Sequence, residues 1–300
     1  MIDVVVIGGG PAGMSAALVA GRGRNDVLLI DEEKPRNAVT NESHAFLTRD
    51  GITPEDFRKK GRRDLLKYPT ITIQNERIAS IARNKDGSFQ LTTSSEDIIH
   101  TKNVVLATGL TETLPNVKDI ENYYGSSIFS CPFCDGWEMK ERPLIFITES
   151  NQAFHVVKLL KNWTDDLIVA TNGLEVFDTE QKTLMKKNNI RLIGDKITQL
   201  NGTNGELQSV EFENGETILR TGGFCSTDLN NKLPFTQQLG IEVSEAGFIT
   251  TDMMGRTNIN GLYAAGEITG PSQLIVSASQ GHMAGMGIIA QSSEENFKTI

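Results

Sequence analysis

Residues 131–137 read Cys131-Pro132-Phe133-Cys134-Asp135-Gly136-Trp137. Cysteines at Cys-x-x-Cys spacing can close a small disulfide ring that is easily opened and remade, which suits electron transfer better than stapling. Asp135 sets a carboxyl beside the second cysteine, where it can give or take the proton that thiol–disulfide exchange requires. Asp-Gly is also an ordinary turn dipeptide, so Asp135 has a purely conformational reading too. The cysteines have two competing readings, a zinc site and a plain buried pair. Zinc needs four ligands, and the remaining candidates, Cys225, His44, His100, His155 and His282, carry no spacing signature. No metal is expected, and Cys225 reads as a small buried hydrophobe.

The chain opens with a second chemical motif, Gly8-x-Gly10-x-x-Gly13. Alone it is weak. Here it follows the apolar run Val4 to Ile7, opens a small-residue helix from Met14 to Val19, and precedes a strand, Val27 to Ile30, that ends in Asp31. In that setting Gly8 permits a tight turn, Gly10 lets the backbone approach a pyrophosphate, and Gly13 lets the helix lie close to the sheet. The helix N-terminus forms the anion site, and Asp31 can accept from ribose hydroxyls.

These sites need elements to hold them. A helix is expected over Pro54–Lys67, and β-segments over Thr70–Gln74 and Ser88–Thr93 with a turn at Lys85-Asp86-Gly87. Asn103–Ala107 reads as a buried strand closed by Thr108-Gly109. After Pro143 comes a second βαβ-like unit: strand Leu144–Ile147, helix Gln152–Lys161, strand Leu167–Ala170. Its equivalents of the nucleotide glycines are Thr148, Ser150 and Ala153, and the side chains of the first two obstruct close backbone approach. Glu149 adds like charge, and no arginine follows the next strand to hold a 2′-phosphate. NADPH is therefore a doubtful ligand here in the usual mode. Arg191–Leu219 is β-rich, with turns expected at Asn201-Gly202 and Asn214-Gly215. Ile259–Glu267 returns to the buried-strand pattern, and Ser277–Gln291 reads as a small-residue helix.

Three hundred residues suffice for two domains. A net charge of −9 argues against nucleic acid and anionic membranes as partners. The largest basic cluster, Arg58-Lys59-Lys60 with Arg62-Arg63, reads as a solvated helix face. No apolar run reaches membrane-spanning length, and residues 2–7 lack signal-peptide features, so a cytoplasmic location is expected. In a reducing cytosol a Cys-x-x-Cys is catalytic or metal-binding more often than structural.

The glycine fingerprint, Ala107-Thr108-Gly109, Cys131-x-x-Cys134-Asp135-Gly136 and Gly261-Leu262-Tyr263-Ala264-Ala265-Gly266-Glu267 occur in an order and spacing that resembles the low-molecular-weight thioredoxin reductases over essentially the whole chain. The resemblance implies an α/β fold of two Rossmann-like, three-layer ββα domains. An FAD domain, residues 1–113 and 243–300, would be interrupted by a smaller nucleotide-binding-type domain, 114–242, that carries the cysteines. It implies that Cys134 faces the flavin and Cys131 exchanges with the outside partner, and it implies a homodimer. It adds Pro11, Ala12, Arg36, Asn37, Ala107, Thr108, Gly109, Gly266, Glu267, Gln273 and Leu274 to the FAD contacts.

The chain departs from that family in places. Glu267 stands where Asp is usual, and the loop after Asp31 reads Pro35-Arg36-Asn37-Ala38 rather than Gly-Gly-Gln-Leu. That loop, with Cys-Pro-Phe-Cys, Trp163 and Thr171-Asn172-Gly173, is similar to a divergent branch that includes the dithiol oxidases closing the disulfides of gliotoxin and holomycin. Those enzymes use oxygen and need no nicotinamide, but tend to have His where this chain has Asp135, which points back to reductase-type protonation. The expected function is an FAD-dependent oxidoreductase passing two electrons between FAD, the Cys131–Cys134 disulfide and an external partner. That partner is a thioredoxin-like protein or a small dithiol or disulfide, and oxygen, ferredoxin or a dithiol is the other redox partner. The alternatives are an NADPH-dependent thioredoxin-disulfide reductase and a flavin-loaded redox sensor without turnover.

Overall fold

The structure is a computed structural model that describes residues 1–230 and 234–298; residues 231–233 and 299–300, which fall within the expected domain ranges, lie outside the described residues. Two compact units form: Met1–Ala38 with Pro54–Thr111 and Asn230–Ile300, and Val39–Thr53 with Glu112–Leu229. The return to the first unit comes earlier than the expected 243, because Leu239 and Ile241 pack into a core with Ile78, Ile81 and Phe89. The segment Val39–Thr53 belongs to the second unit. There the Val39 carbonyl lies so close to Gly125 that a Cβ on that glycine would stand 2.2 Å from it.

The first unit is built on a seven-stranded sheet. Strand Ile2–Ile7 lies at its centre, parallel to Val27–Asp31 on one side and to Ile98–Leu106 on the other. Ile71–Asn75 extends the parallel set beyond Val27–Asp31. Val4, Val5 and Val6 are all fully buried, as an unbroken apolar run in a sheet covered on both faces must be. One face packs Val4, Val6 and Leu29 against Ala16, Ala17 and Ala20 of the helix Pro11–Arg22. That helix also meets the C-terminal helix Leu274–Lys298 at close range. A Cβ on Gly281 would stand 1.9 Å from the Ala12 carbonyl oxygen, so only glycine permits the approach. Strand Ile78–Arg83, which the sequence pattern did not reveal, pairs antiparallel with Phe89–Thr93 around the expected Asp86-Gly87 turn. Leu262–Ala264 pairs parallel with Ile98–Leu106.

The second unit has a five-stranded parallel sheet in the order Arg191–Ile193, Leu167–Ala170, Leu144–Ile147, Gly222–Cys225, Ile128–Phe129. A three-stranded antiparallel sheet follows. Its first hairpin turns at Asn204-Gly205, not at Asn201-Gly202. Asn204 and Gly205 have φ of 54° and 81°, the left-handed pair that a two-residue hairpin turn needs. Gly202 lies instead inside the strand Ile197–Thr203, beside a register shift. A helix missed in the sequence, Thr179–Lys187, is fixed by a capping box between Asp178 and Gln181. Both units are thus α/β and Rossmann-like.

Candidate functional site: a glycine cradle and a dithiol

Strand Ile2–Ile7 runs into Gly8, whose φ of 105° is one that glycine tolerates best. A Cβ at Gly13 would stand 1.8 Å from the Gly8 carbonyl oxygen, while one at Gly10 would meet nothing within 4 Å. Gly8 and Gly13 therefore close the turn, and Gly10 faces open space. Gly10 caps the helix without a side-chain bond and Pro11 fills the first helical position, so Ala12 and its neighbours form an anion-ready N-terminus. Ala107 follows the neighbouring strand, and the buried hydroxyl of Thr108 has no hydrogen-bond partner. Gly109 has φ 67° and faces Glu267, whose Oε2 would lie 3.6 Å from a Cβ there. The Gly266 N–H donates to Gln280, while Gln273 and Leu274 sit at the start of the C-terminal helix. Open space at Gly10, an uncapped helix and an orphaned Thr108 hydroxyl are features that fit a bound dinucleotide such as FAD.

Asp31 ends its strand as expected, but it is already engaged. Arg58 and Arg62 reach its Oδ2 at 3.2 and 3.1 Å, and Arg62 also reaches Glu33 at 2.7 Å. The basic cluster is therefore not wholly a solvated face: Arg58 and Arg62 turn inward, because carboxylates line the wall opposite them. Beside Asp31 lies an open depression of about 280 Å³ lined by Lys34, Asn75, Glu76, Arg77 and Ser94 among others. Arg36 and Asn37 lie on a short 3₁₀ turn. The Arg36 guanidinium pairs with Glu267 at 2.6 Å and with Ser272 at 2.6 Å.

In the second unit Cys131 and Cys134 form a disulfide with Cα atoms 5.3 Å apart. The pair sits on one helical turn, Pro132–Asp135, which Pro132 starts. The N–H groups of Cys134 and Asp135 both donate to the Cys131 carbonyl. Trp163 lies over the turn, so close that a Cβ at Gly136 would stand 2.6 Å from its ring. Phe133 and Trp137 project outward, 61% and 67% exposed. Asp135 is only 9% exposed. Burial pushes its carboxyl up to about 7; His44 pulls it down and Glu138 pushes it further up. A buried carboxyl poised near neutral pH beside a dithiol is suited to proton transfer. Among the described residues, no group of three or more His, Cys, Asp and Glu side chains is arranged to hold a metal. Cys225 is buried, and desolvation raises its thiol.

The second glycine position is filled from within. Glu149 Oε1 accepts from Asn172 Nδ2 at 2.7 Å, and its Oε2 accepts from the Asn116 N–H at 3.4 Å. Ser150 bonds the Gln152 N–H, and Thr148 accepts from Ser226. An internal carboxylate and local hydroxyls thus hold the polar groups of this turn.

The profile of the pyridine nucleotide-disulphide oxidoreductases matches residues 2–281. The chain belongs to that family. A putative thioredoxin reductase TrxB from Bacillus anthracis is 41% identical, with a TM-score of 0.95 over 99% of this chain and 100% of that one. The structure of HlmI is 29% identical with a TM-score of 0.95, over 99% of this chain and 94% of that one. A probable thioredoxin reductase of Arthroderma benhamiae is 35% identical over 178 residues, 58% of this chain and 44% of that protein. The chain is therefore a thioredoxin reductase-like, FAD-dependent disulfide oxidoreductase. No helix among its described residues is long and apolar enough to cross a membrane.

For this pyridine nucleotide-disulphide oxidoreductase, sequence reasoning missed three site features. The Arg36–Glu267 pair joins residues far apart in sequence. The inward arginines at Asp31 carried no signal beyond their charge. His44, which carried no spacing signature, has a side chain only 18% exposed, within the second unit among Glu42, Asp50 and Glu138.

Proposed function

We propose that the chain exchanges two electrons between FAD, the Cys131–Cys134 pair and an external thiol or disulfide partner, and that it does so without NADPH in the usual mode. The observation that carries the second half is Glu149, held by Asn172 at 2.7 Å where a nicotinamide nucleotide would place its phosphates. Like charge and lost glycines both oppose phosphate there.

FAD, when bound, supplies the two-electron couple. The chain's own residues do the rest. Gly8, Gly10, Pro11, Ala12, Gly13 and Asp31 would hold the cofactor's phosphates and ribose. Arg36, Asn37, Ala107, Thr108, Gly109, Gly266, Glu267, Gln273 and Leu274 would complete the cradle. Cys131 would exchange with the partner and Cys134 would stand toward the flavin. Asp135 would supply and recover the proton at the leaving sulfur. A thioredoxin-like protein or a small dithiol or disulfide would be the partner; oxygen, ferredoxin or a dithiol would be the other redox partner. A homodimer in the cytoplasm completes this reading.

NADPH-dependent thioredoxin reduction is the second reading, favoured by the 41% identity to a putative thioredoxin reductase. Anaerobic mixing separates the two. Bleaching of the flavin absorbance by a dithiol, with none by NADPH or NADH, is expected. Rapid bleaching by NADPH would overturn the proposal. Full turnover in both Cys131→Ser and Cys134→Ser would overturn the dithiol chemistry itself.

A further inference from the structure

Asp135 and Glu138 lie three residues apart on a helical turn that continues past the dithiol, with the Met139 N–H donating to the Asp135 carbonyl at 3.3 Å. That spacing makes their carboxyls neighbours. His44 approaches from Val39–Thr53, remote in sequence but part of the same unit. Its Nε2 lies 3.6 Å from Glu138 Oε1 and 3.5 Å from Glu42 Oε2, and its Nδ1 lies 3.7 Å from Asp50 Oδ1. Glu42 and Asp50 are well exposed, whereas the imidazole is not. The side chains of His44 and Glu138 bear on the buried Asp135 carboxyl in opposite senses.

We propose that His44 is a positioning residue for the dithiol: it lies against Glu138 and, in its protonated form, places positive charge near Asp135, and so governs whether Asp135 holds a proton when Cys134 leaves. This rests on the dithiol reading above. In the step concerned, a partner thiolate, its proton shed to solvent, attacks Cys131 Sγ. A mixed disulfide forms, the Cys131–Cys134 bond breaks, and the electron pair departs on Cys134 Sγ, which takes the proton of Asp135. The partner's second thiol returns a proton to Asp135 and attacks the mixed disulfide. The partner leaves as a disulfide, and Cys131 leaves as a thiolate that takes up a proton from solvent. Two electrons have passed to the pair and the protons balance. A carboxyl with an imidazole and a second carboxylate near it can be tuned either way by small changes in either.

The test uses the holoenzyme and two readouts over pH 5 to 9. One is anaerobic flavin bleaching by dithiothreitol. The other is the iodoacetamide alkylation rate of the reduced pair, followed by mass, which does not depend on the flavin. His44→Gln removes the titratable imidazole and should move the Asp135 midpoint to higher pH; Glu138→Gln should move it to lower pH. Shifts of about half a unit, or roughly threefold in the charged-to-neutral ratio, are expected. The double variant should return near wild type. Midpoints that stay put, or that move in the same direction in both single variants, overturn the proposal. If His44→Gln does not fold, His44→Asn is read in its place, and a midpoint equal to that of the wild type overturns the proposal. If dithiothreitol never bleaches the wild-type flavin, the dithiol reading fails, and the alkylation profiles still judge His44.

Discussion

Arg36 Nη2 stands 2.6 Å from Glu267 Oε1, joining side chains 231 residues apart in sequence. Burial raises the Glu267 carboxyl, but the Arg36 guanidinium, the Ser272 hydroxyl and the Leu110 N–H outweigh it and hold the group below the usual carboxylate range. The longer Glu side chain is thus accommodated by a partner on the loop after Asp31.

Arg36→Ala should therefore cost about 1–3 kcal/mol at pH 7, because it leaves a partly buried carboxylate without its cation. A carboxyl depressed in the folded state stabilises above its unfolded value and loses that contribution as pH falls through the folded value. The gap between wild type and Arg36→Ala in urea denaturation should close below about pH 4. An equal gap at pH 7 and pH 3 would refute the assignment.

Gly10 and Gly13 should fail differently. A Cβ at Gly10 meets no protein atom, whereas one at Gly13 collides with the Gly8 carbonyl at 1.8 Å. Gly10→Ala should keep the melting temperature of the flavin-free protein and lose flavin on desalting, because only a ligand needs that space. Gly13→Ala should destabilise the flavin-free protein by about 1–3 kcal/mol or more. Flavin retention in Gly10→Ala would count against the cradle.

Asp135→Asn should slow dithiol exchange by about 10²–10⁴-fold and abolish any pH dependence centred near 7. The stability effect has the opposite sign. A carboxyl raised to about 7 by burial costs the folded state progressively as pH rises from about 4 towards 7. The Asn variant should therefore be more stable than wild type at pH 8 and comparable at pH 4, as chemical denaturation at both values would reveal.

Gly136→Ala should disturb the dithiol turn without touching a sulfur. Gly136 has φ −65°, so the backbone tolerates alanine, but the added Cβ would stand 2.4 Å from the Pro132 carbonyl and 2.6 Å from the Trp163 ring. A loss of about 1–3 kcal/mol and a changed tryptophan emission are expected. Unchanged emission would mean that Trp163 does not rest there.

Asn172 is buried at φ 50°; it donates to Glu149 and to the Asn116 carbonyl, and accepts from the Ile197 N–H. Asn172→Ala strands those partners and puts alanine in a left-handed conformation, so about 2–4 kcal/mol should be lost in a thermal or urea melt. A near-neutral variant would show that Glu149 has other support.

The buried strands and the glycine fingerprint were legible because local chemistry dictates them: Val4–Val6 can only be covered on both faces, and only glycine reaches φ 105° readily at position 8. Partnerships between distant segments were not legible. The helix charges Arg58 and Arg62 disclose a polar face, but not that Asp31 and Glu33 lie across from it. Two Asn-Gly pairs, at 201 and 204, are equal as turn dipeptides, and strand register chose between them. His44 could not be linked to Asp135 until the fold assigned Val39–Thr53 to the dithiol's own unit.

The sheet of the first unit needs its last strand, Leu262–Ala264, beside Ile98–Leu106, and its first helix needs the C-terminal helix against it. The residues of the second unit all precede Asn230. Synthesis runs from the N-terminus, and long-range closure is the slow step of folding. A nascent chain that has emerged through Leu229 but not yet through Leu262 would therefore carry the whole redox unit and an unfinished cofactor cradle.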